Sequence, residues 1–149
     1  MFNSILVVCV GNICRSPAAE VMFKELLPHK EISSAGVLVE QSGLTKAPPH
    51  RNIKKVLSKN GIDVSEHKAR QLTESMCDDY ELILTMDNNL IELISEISPT
   101  ARGKTMLLGQ WIGQSKIIDP IKRDEDFFAQ TYNTLDKATT TWARKLAFF

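Results

Sequence analysis

Ile5-Leu6-Val7-Val8-Cys9-Val10-Gly11-Asn12-Ile13-Cys14-Arg15-Ser16-Pro17 decides how the rest of the chain is read. Ile5 to Val8 is a short, β-branched apolar run, the pattern of a parallel strand covered on both faces. Pro17 suits the first position of a helix, and Glu20 falls in a first turn, where negative charge is favoured. Between strand and helix lies Cys-x5-Arg-Ser, with Gly11 and Asn12 open to backbone conformations that most residues avoid. A loop that opens a helix gathers unpaired N–H groups at one spot, and the helix dipole adds partial positive charge there. The stretch therefore predicts an anion site. Cys9 lies beneath the anion in this reading, and the planar fork of Arg15 holds two of its oxygens. Both influences favour the thiolate, so the same stretch supplies a nucleophile.

Cys-x5-Arg alone is weak evidence. On this composition it is expected by chance about 0.1 times, and a free cysteine at a strand end is ordinarily core filling. The preceding strand, the following helix, Gly-Asn inside and Ser-Pro after it raise the spacing to a site.

With 149 residues the chain has room for one domain and one substantial core. Its 43% apolar and 24% charged content is that of an ordinary globular protein. The 18 basic residues balance 18 acidic ones, which argues against bulk attraction to nucleic acid or to a membrane surface. Three cysteines, an odd count, argue against a disulfide framework. The N-terminus lacks a basic region, and its apolar run is too short for a signal peptide or a span. The expectation is a cytoplasmic protein without membrane insertion. His29, His50 and His67 are scattered and no group has metal-ligand spacing, so neither metal nor cofactor is expected.

Along the chain, Ala18, Val21, Met22 and Leu26 recur at helical spacing up to Pro28, and Ile32–Ala35 is a short strand closed by Gly36. Residues 37–49 read as loop, with Ser42-Gly43 and Pro48-Pro49 as breakers. A helix is predicted over Arg51–Lys59, with Ile53, Val56 and Leu57 inward and Asn60-Gly61 ending it. Leu82–Met86 is a strand, and Asp87-Asn88 caps a helix carrying Leu90, Ile91, Ile94 and Ile97. Thr105–Leu108 is another strand, followed by an irregular connection from Gly109 to about Arg123. The last helix places Phe128, Tyr132, Leu135, Thr139, Trp142 and Leu146 on one core face. Strands alternating with helices predict a parallel sheet with right-handed crossovers, whose ligands bind at the strands' carboxyl ends, where Cys9 falls.

Val8 to Pro17 resembles the signature of the low-molecular-weight protein tyrosine phosphatases, including its N-terminal position, and the resemblance extends over the whole chain. It implies one phosphatase domain over residues 1–149. The implied fold is α/β, a three-layer sandwich whose four-stranded parallel sheet has the order 2-1-3-4, with helices on both faces. It further implies Cys9 as nucleophile, Arg15 as phosphate ligand, and Asp119 of Asp119-Pro120 as general acid. Taken by itself, Asp-Pro is a turn signal. Val10, Gly11, Asn12, Ile13 and Cys14 would form the phosphate loop. Ser16 would hydrogen-bond the thiolate, Asn12 hold the strained loop, His67 brace Asn12, and Asp87 supply a second acid nearby. Cys14 would be able to form a disulfide with Cys9, shielding it from irreversible oxidation. Cys77 reads as inert.

Where many family members carry tyrosines after Asp-Pro, this chain has Ile121-Lys122-Arg123. Ile121 and Leu44 would wall the cleft without aromatic stacking, and the two basic residues would charge its rim. Intact phosphate chemistry is expected, with a weaker grip on isolated phosphotyrosine and a preference for acidic or multiply phosphorylated tails. Trp111 reads as a packed tryptophan at a strand end rather than an entrance residue. The Val-Gly-Asn-Ile-Cys-Arg-Ser-Pro form resembles bacterial members paired with tyrosine autokinases of capsule and exopolysaccharide export. The expected partner is thus a tyrosine-phosphorylated protein, with inorganic phosphate as product. Two other readings compete. A thiol-linked arsenate reductase shares this loop but needs two further cysteines, of which only Cys77 is on offer. A phosphopeptide-binding module needs neither thiolate nor acid.

Overall fold

A computed structural model describes residues 2–147; Met1, Phe148 and Phe149 lie outside the described residues. Strand β1 (Ser4–Cys9) is followed by α1 (Arg15–Leu26), β2 (Glu31–Gly36), α2 (Arg51–Lys59), α3 (Glu74–Asp79), β3 (Leu82–Thr85), α4 (Asn88–Ile97), β4 (Thr105–Leu107) and α5 (Glu125–Ala147). The strands form one parallel sheet in the order β2-β1-β3-β4, with Cys9 opposite Gly36 and Val8 opposite Thr85. The step from β1 to β2 runs one way along the sheet and the step from β3 to β4 the other. Right-handed crossovers therefore put α1 and α4 on opposite faces. The strand order reverses between β1 and β3, and the crevice at their carboxyl ends is where such sheets bind ligands.

β1 is buried along its whole length, and Ile5, Leu6, Val7 and Val8 have no exposed surface, as a doubly covered central strand requires. Phe23 of α1 and Phe128 and Leu135 of α5 are equally enclosed, in a core that α1 and α5 share. Helix α2 spans the predicted residues, with Ile53 and Leu57 buried and Val56 half-buried. Helix α4 starts after Asp87 as predicted, but only Leu90 and Ile94 are fully buried on it.

Three expectations are corrected. Helix α1 begins at Arg15, two residues before Pro17, because the loop closes directly into it. Pro17 is tolerated as the third helical residue since the first N–H groups of a helix have no intrahelical acceptor. Glu20 consequently lies beyond the first turn, which holds no acidic residue. Helix α3 has no counterpart in the sequence reading; six residues are too few to display a period. Trp111 is 44% exposed in a 3-10 turn, edge-on to Trp142 and beneath Lys145.

Candidate active site

The loop from Cys9 to Arg15 is built so that its carbonyl groups are engaged elsewhere. The carbonyl of Cys9 accepts from Val37 N–H, that of Val10 from Leu38 N–H, and that of Ile13 from His50 N–H at 2.7 Å. The carbonyl of Asn12 faces His67 Nε2 at 2.6 Å, which fixes that nitrogen as the donor. With these oxygens drawn outward, the loop turns N–H groups toward its centre, the arrangement of an anion nest. No side chain caps α1 at Cys14, so the helix's own N-terminal N–H groups also face that centre.

Asn12 organises the interior. Its φ is 56°, in the left-handed region that asparagine tolerates better than most residues. Its Nδ2 donates to Ser16 Oγ at 2.8 Å and to Ser34 Oγ at 3.0 Å, and its Oδ1 accepts from Arg70 N–H at 3.0 Å. Ser16 Oγ, already an acceptor from Asn12, has its hydrogen free for Cys9 Sγ, 2.9 Å away. Asn12 N–H adds a second donor to that sulfur at 3.3 Å. Ser34 Oγ passes its own hydrogen to Glu20 Oε1 at 2.5 Å. A continuous chain thus runs from the half-buried Glu20 carboxylate to the Cys9 sulfur. Ser34 and Glu20 escaped the sequence reading in this role. The signal for Ser34 was a hydroxyl in an otherwise buried strand end.

Gly11 keeps φ negative, so its role is spatial rather than conformational: a Cβ there would stand 3.0 Å from Leu44 Cδ1. Leu44 accordingly packs close to the loop at Gly11. Cys9 is 3% exposed and Cys14 1%. Burial, then the neighbouring Cys9 and Asp119, push the Cys14 thiol well above the ordinary range, which keeps it protonated.

Arg15 is a buried cation, 2% exposed. One guanidinium nitrogen donates to the Ile117 carbonyl at 2.6 Å, and the other lies 3.6 Å from Asp119 Oδ2. These partners offset a desolvation penalty of several kcal/mol, and a bound phosphate would complete the compensation. Asp119 reaches the same cation from the connection that precedes α5, yet its side chain remains 39% exposed. Its Oδ1 accepts from Ile121 N–H at 3.1 Å, which shapes the turn and holds the half-buried Ile121 next to the acid. Arg123 lies over the Phe127 ring, 4.9 Å from its centroid, so it rests on α5 rather than reaching from the rim.

His67 is held by desolvation at a lower proton affinity than usual, against the pull of its bond to Asn12, so the ring is a neutral donor at neutral pH. Asp87 sits at the carboxyl end of β3, and its Oδ1 accepts from Leu90 N–H at 2.9 Å as the cap of α4. Trp111 packs beside Trp142, fourteen residues along α5 from Phe128, roughly 20 Å from the acid's end of that helix. Cys77 is fully buried and its thiol is pushed up by that burial, an environment unsuited to passing oxidation to a partner.

The family profile described as low molecular weight phosphotyrosine protein phosphatase matches residues 4–148. The chain belongs to that family. Its members are metal-independent hydrolases of phosphate monoesters. Among relatives, the low-molecular-weight protein-tyrosine-phosphatase Etp of Escherichia coli K12 is 42% identical over 146 residues, covering 98% of this chain and 96% of its own. Vibrio vulnificus Wzb, solved in complex with benzylphosphonate, superposes with a TM-score of 0.95 at 46% identity, covering 97% of this chain and 99% of that one. The tyrosine phosphatase Wzb of Escherichia coli K30, solved with sulphate, gives 0.92 at 41% identity, covering 98% and 99%. Among the described residues, no helix of this family member is long and apolar enough to cross a membrane.

Proposed function

We propose that this chain removes phosphate from protein phosphotyrosine in two steps through a cysteinyl-phosphate. The observation that carries the reading is one cluster. Cys9 Sγ accepts from Ser16 and from the Asn12 amide, on the floor of a loop that ends in Arg15, and Asp119 faces that arginine at 3.6 Å. In the first step the Cys9 sulfur forms the S–P bond as the P–O bond to tyrosine breaks, and Asp119 gives its proton to the departing phenolate oxygen. In the second, the Asp119 carboxylate takes a proton from water while that oxygen attacks phosphorus. The S–P bond breaks, inorganic phosphate leaves, and the Ser16 hydroxyl steadies the returning thiolate. Arg15 keeps the Ile117 carbonyl on one nitrogen and turns its other N–H groups to phosphate oxygens, and with the loop amides it stabilises the equatorial oxygens of both transition states.

The likeness to a phosphatase that binds benzylphosphonate, an aryl-methyl phosphonate, supports an aromatic phosphate monoester as substrate. The partner we infer is a bacterial tyrosine autokinase of capsule or exopolysaccharide export, as the resemblance to Wzb enzymes supports. The site then works in the cytoplasm, where such a kinase meets ATP. Leu44 and Ile121 give the cleft apolar rather than aromatic walls, which fits a substrate gripped through its flanking residues.

The test is hydrolysis of para-nitrophenyl phosphate in EDTA by the wild-type protein and by Cys9→Ser. Turnover by the wild type that falls to background in the variant is the expected result. Turnover retained by Cys9→Ser would remove Cys9 as the nucleophile. No turnover by a folded wild type would overturn the phosphatase chemistry and turn attention to arsenate with a thiol donor.

A further inference from the structure

General acid catalysis requires Asp119 to stay fixed relative to the Cys9 sulfur, although 110 residues separate them in sequence. Two braces span that gap. One is the bond from Arg15 to the Ile117 carbonyl. The other runs through His50, which the sequence presented only as one of three scattered histidines.

His50 touches three parts of the site. Its main-chain N–H donates to the Ile13 carbonyl of the phosphate loop at 2.7 Å. Its Nδ1 accepts from Asn52 N–H at 3.1 Å and caps α2. Its ring stacks on Phe128, with centroids 4.9 Å apart and planes 21° from parallel. Phe128 is the first fully buried side chain after Pro120, so it anchors the distal end of the segment that carries Asp119. A residue present for capping alone needs only a short oxygen-bearing side chain. The imidazole adds a flat surface against the anchor of the acid segment.

The ring is also neutral. With Nδ1 accepting, its proton sits on Nε2. Burial and then the adjacent Arg51 lower its affinity for a second proton by more than the Asp119 carboxylate raises it.

We propose that His50 is a positioning residue for proton transfer: its stack on Phe128 holds the Asp119 segment in register with the phosphate loop that its own main chain grips. This rests on Asp119 being the general acid, and the experiment separates the two. Wild type, His50→Asn, His50→Phe, Phe128→Leu and Asp119→Ala are compared on phenyl phosphate, a poor leaving group, and 2,4-dinitrophenyl phosphate, which departs without protonation. Asn keeps the cap and removes the ring; Phe keeps the ring and removes the cap.

The expected result for His50→Asn is a loss in kcat/KM of about tenfold on phenyl phosphate and less than about twofold on the dinitrophenyl ester, smaller than a full 1 Å displacement produces. His50→Phe should restore the wild-type ratio while melting at a lower temperature. Phe128→Leu should repeat the selective loss, which carries the test if His50→Asn does not fold. Wild-type ratios in the folded ring-removing variants, with a selective loss in Asp119→Ala, would overturn the role of His50 and leave the acid standing. A uniform loss in Asp119→Ala would overturn both.

Discussion

A methyl group on Gly36 would stand 2.6 Å from the Val10 carbonyl oxygen and 2.7 Å from Val39 Cγ2. The first of these is backbone of the phosphate loop, which cannot yield without losing the bond from Leu38 that turns the Val10 carbonyl outward. Gly36→Ala is therefore expected to destabilise the protein by about 1–3 kcal/mol, as overpacking does. It should also lower kcat/KM more than a core substitution of equal energetic effect elsewhere. Urea denaturation and para-nitrophenyl phosphate kinetics on the same preparation check both. An unchanged rate in a destabilised variant would show that the loop does not feel this contact. The sequence marked Gly36 only as the end of a strand, because closeness between residues 10 and 36 is a property of the β1–β2 register. Asn12 was more legible: its place after Gly11 in a strand-to-helix loop already suggested a left-handed conformation. Its five partners came from four separate parts of the chain.

At the scale of elements, the boundaries that local chemistry sets were readable and those set by packing were not. Helix α2 runs between Pro49-His50 and Asn60-Gly61, whose backbone preferences act on neighbouring residues only. Helix α1 instead starts where the phosphate loop closes, and the proline that seemed to mark its first residue is two positions inside it. Asp87 combines a local and a distant meaning. It caps α4 through the Leu90 amide, so Asp87→Ala should cost about 1 kcal/mol in denaturant unfolding. If capping is its whole contribution, kcat/KM should stay within a few-fold of wild type. A fall beyond about tenfold in a folded variant would give it a part at the site beyond capping, as the second acid nearby that the family resemblance implies.

Across the whole molecule, the two half-buried histidines beside the phosphate loop make stability depend on pH. His67 and His50 both bind protons less readily in the folded protein than at the ordinary value of 6.5, chiefly through desolvation. Between 6.5 and the lower folded values, the unfolded chain holds more protons than the native one. Their contribution is thus complete above 6.5 and is lost as pH falls through the folded values. Melting temperature should decline from pH 7.5 toward pH 5, a window that lies above the carboxylate range. His67→Gln keeps an N–H for the Asn12 carbonyl but cannot titrate, so its decline should be shallower. A slope equal to that of wild type would exclude His67 as a source.

The alternation of strands and helices, the anion-seeking loop and its cysteine, arginine and serine were determined by the sequence itself, because each lies within one short stretch whose backbone and charge preferences are local. The acid was visible only as an Asp-Pro turn with a resemblance behind it. What only the tertiary structure decided is how these parts are held. The outward pull on the loop carbonyls comes from Val37, Leu38, His50 and His67, the floor under Asn12 from Ser34 and Arg70, and the tie to the acid segment from Ile117 and Phe128. Those contacts join residues from 22 to 102 positions apart, and no local preference encodes them. They exist because the parallel sheet, in the order β2-β1-β3-β4, delivers the carboxyl ends of its strands to one crevice.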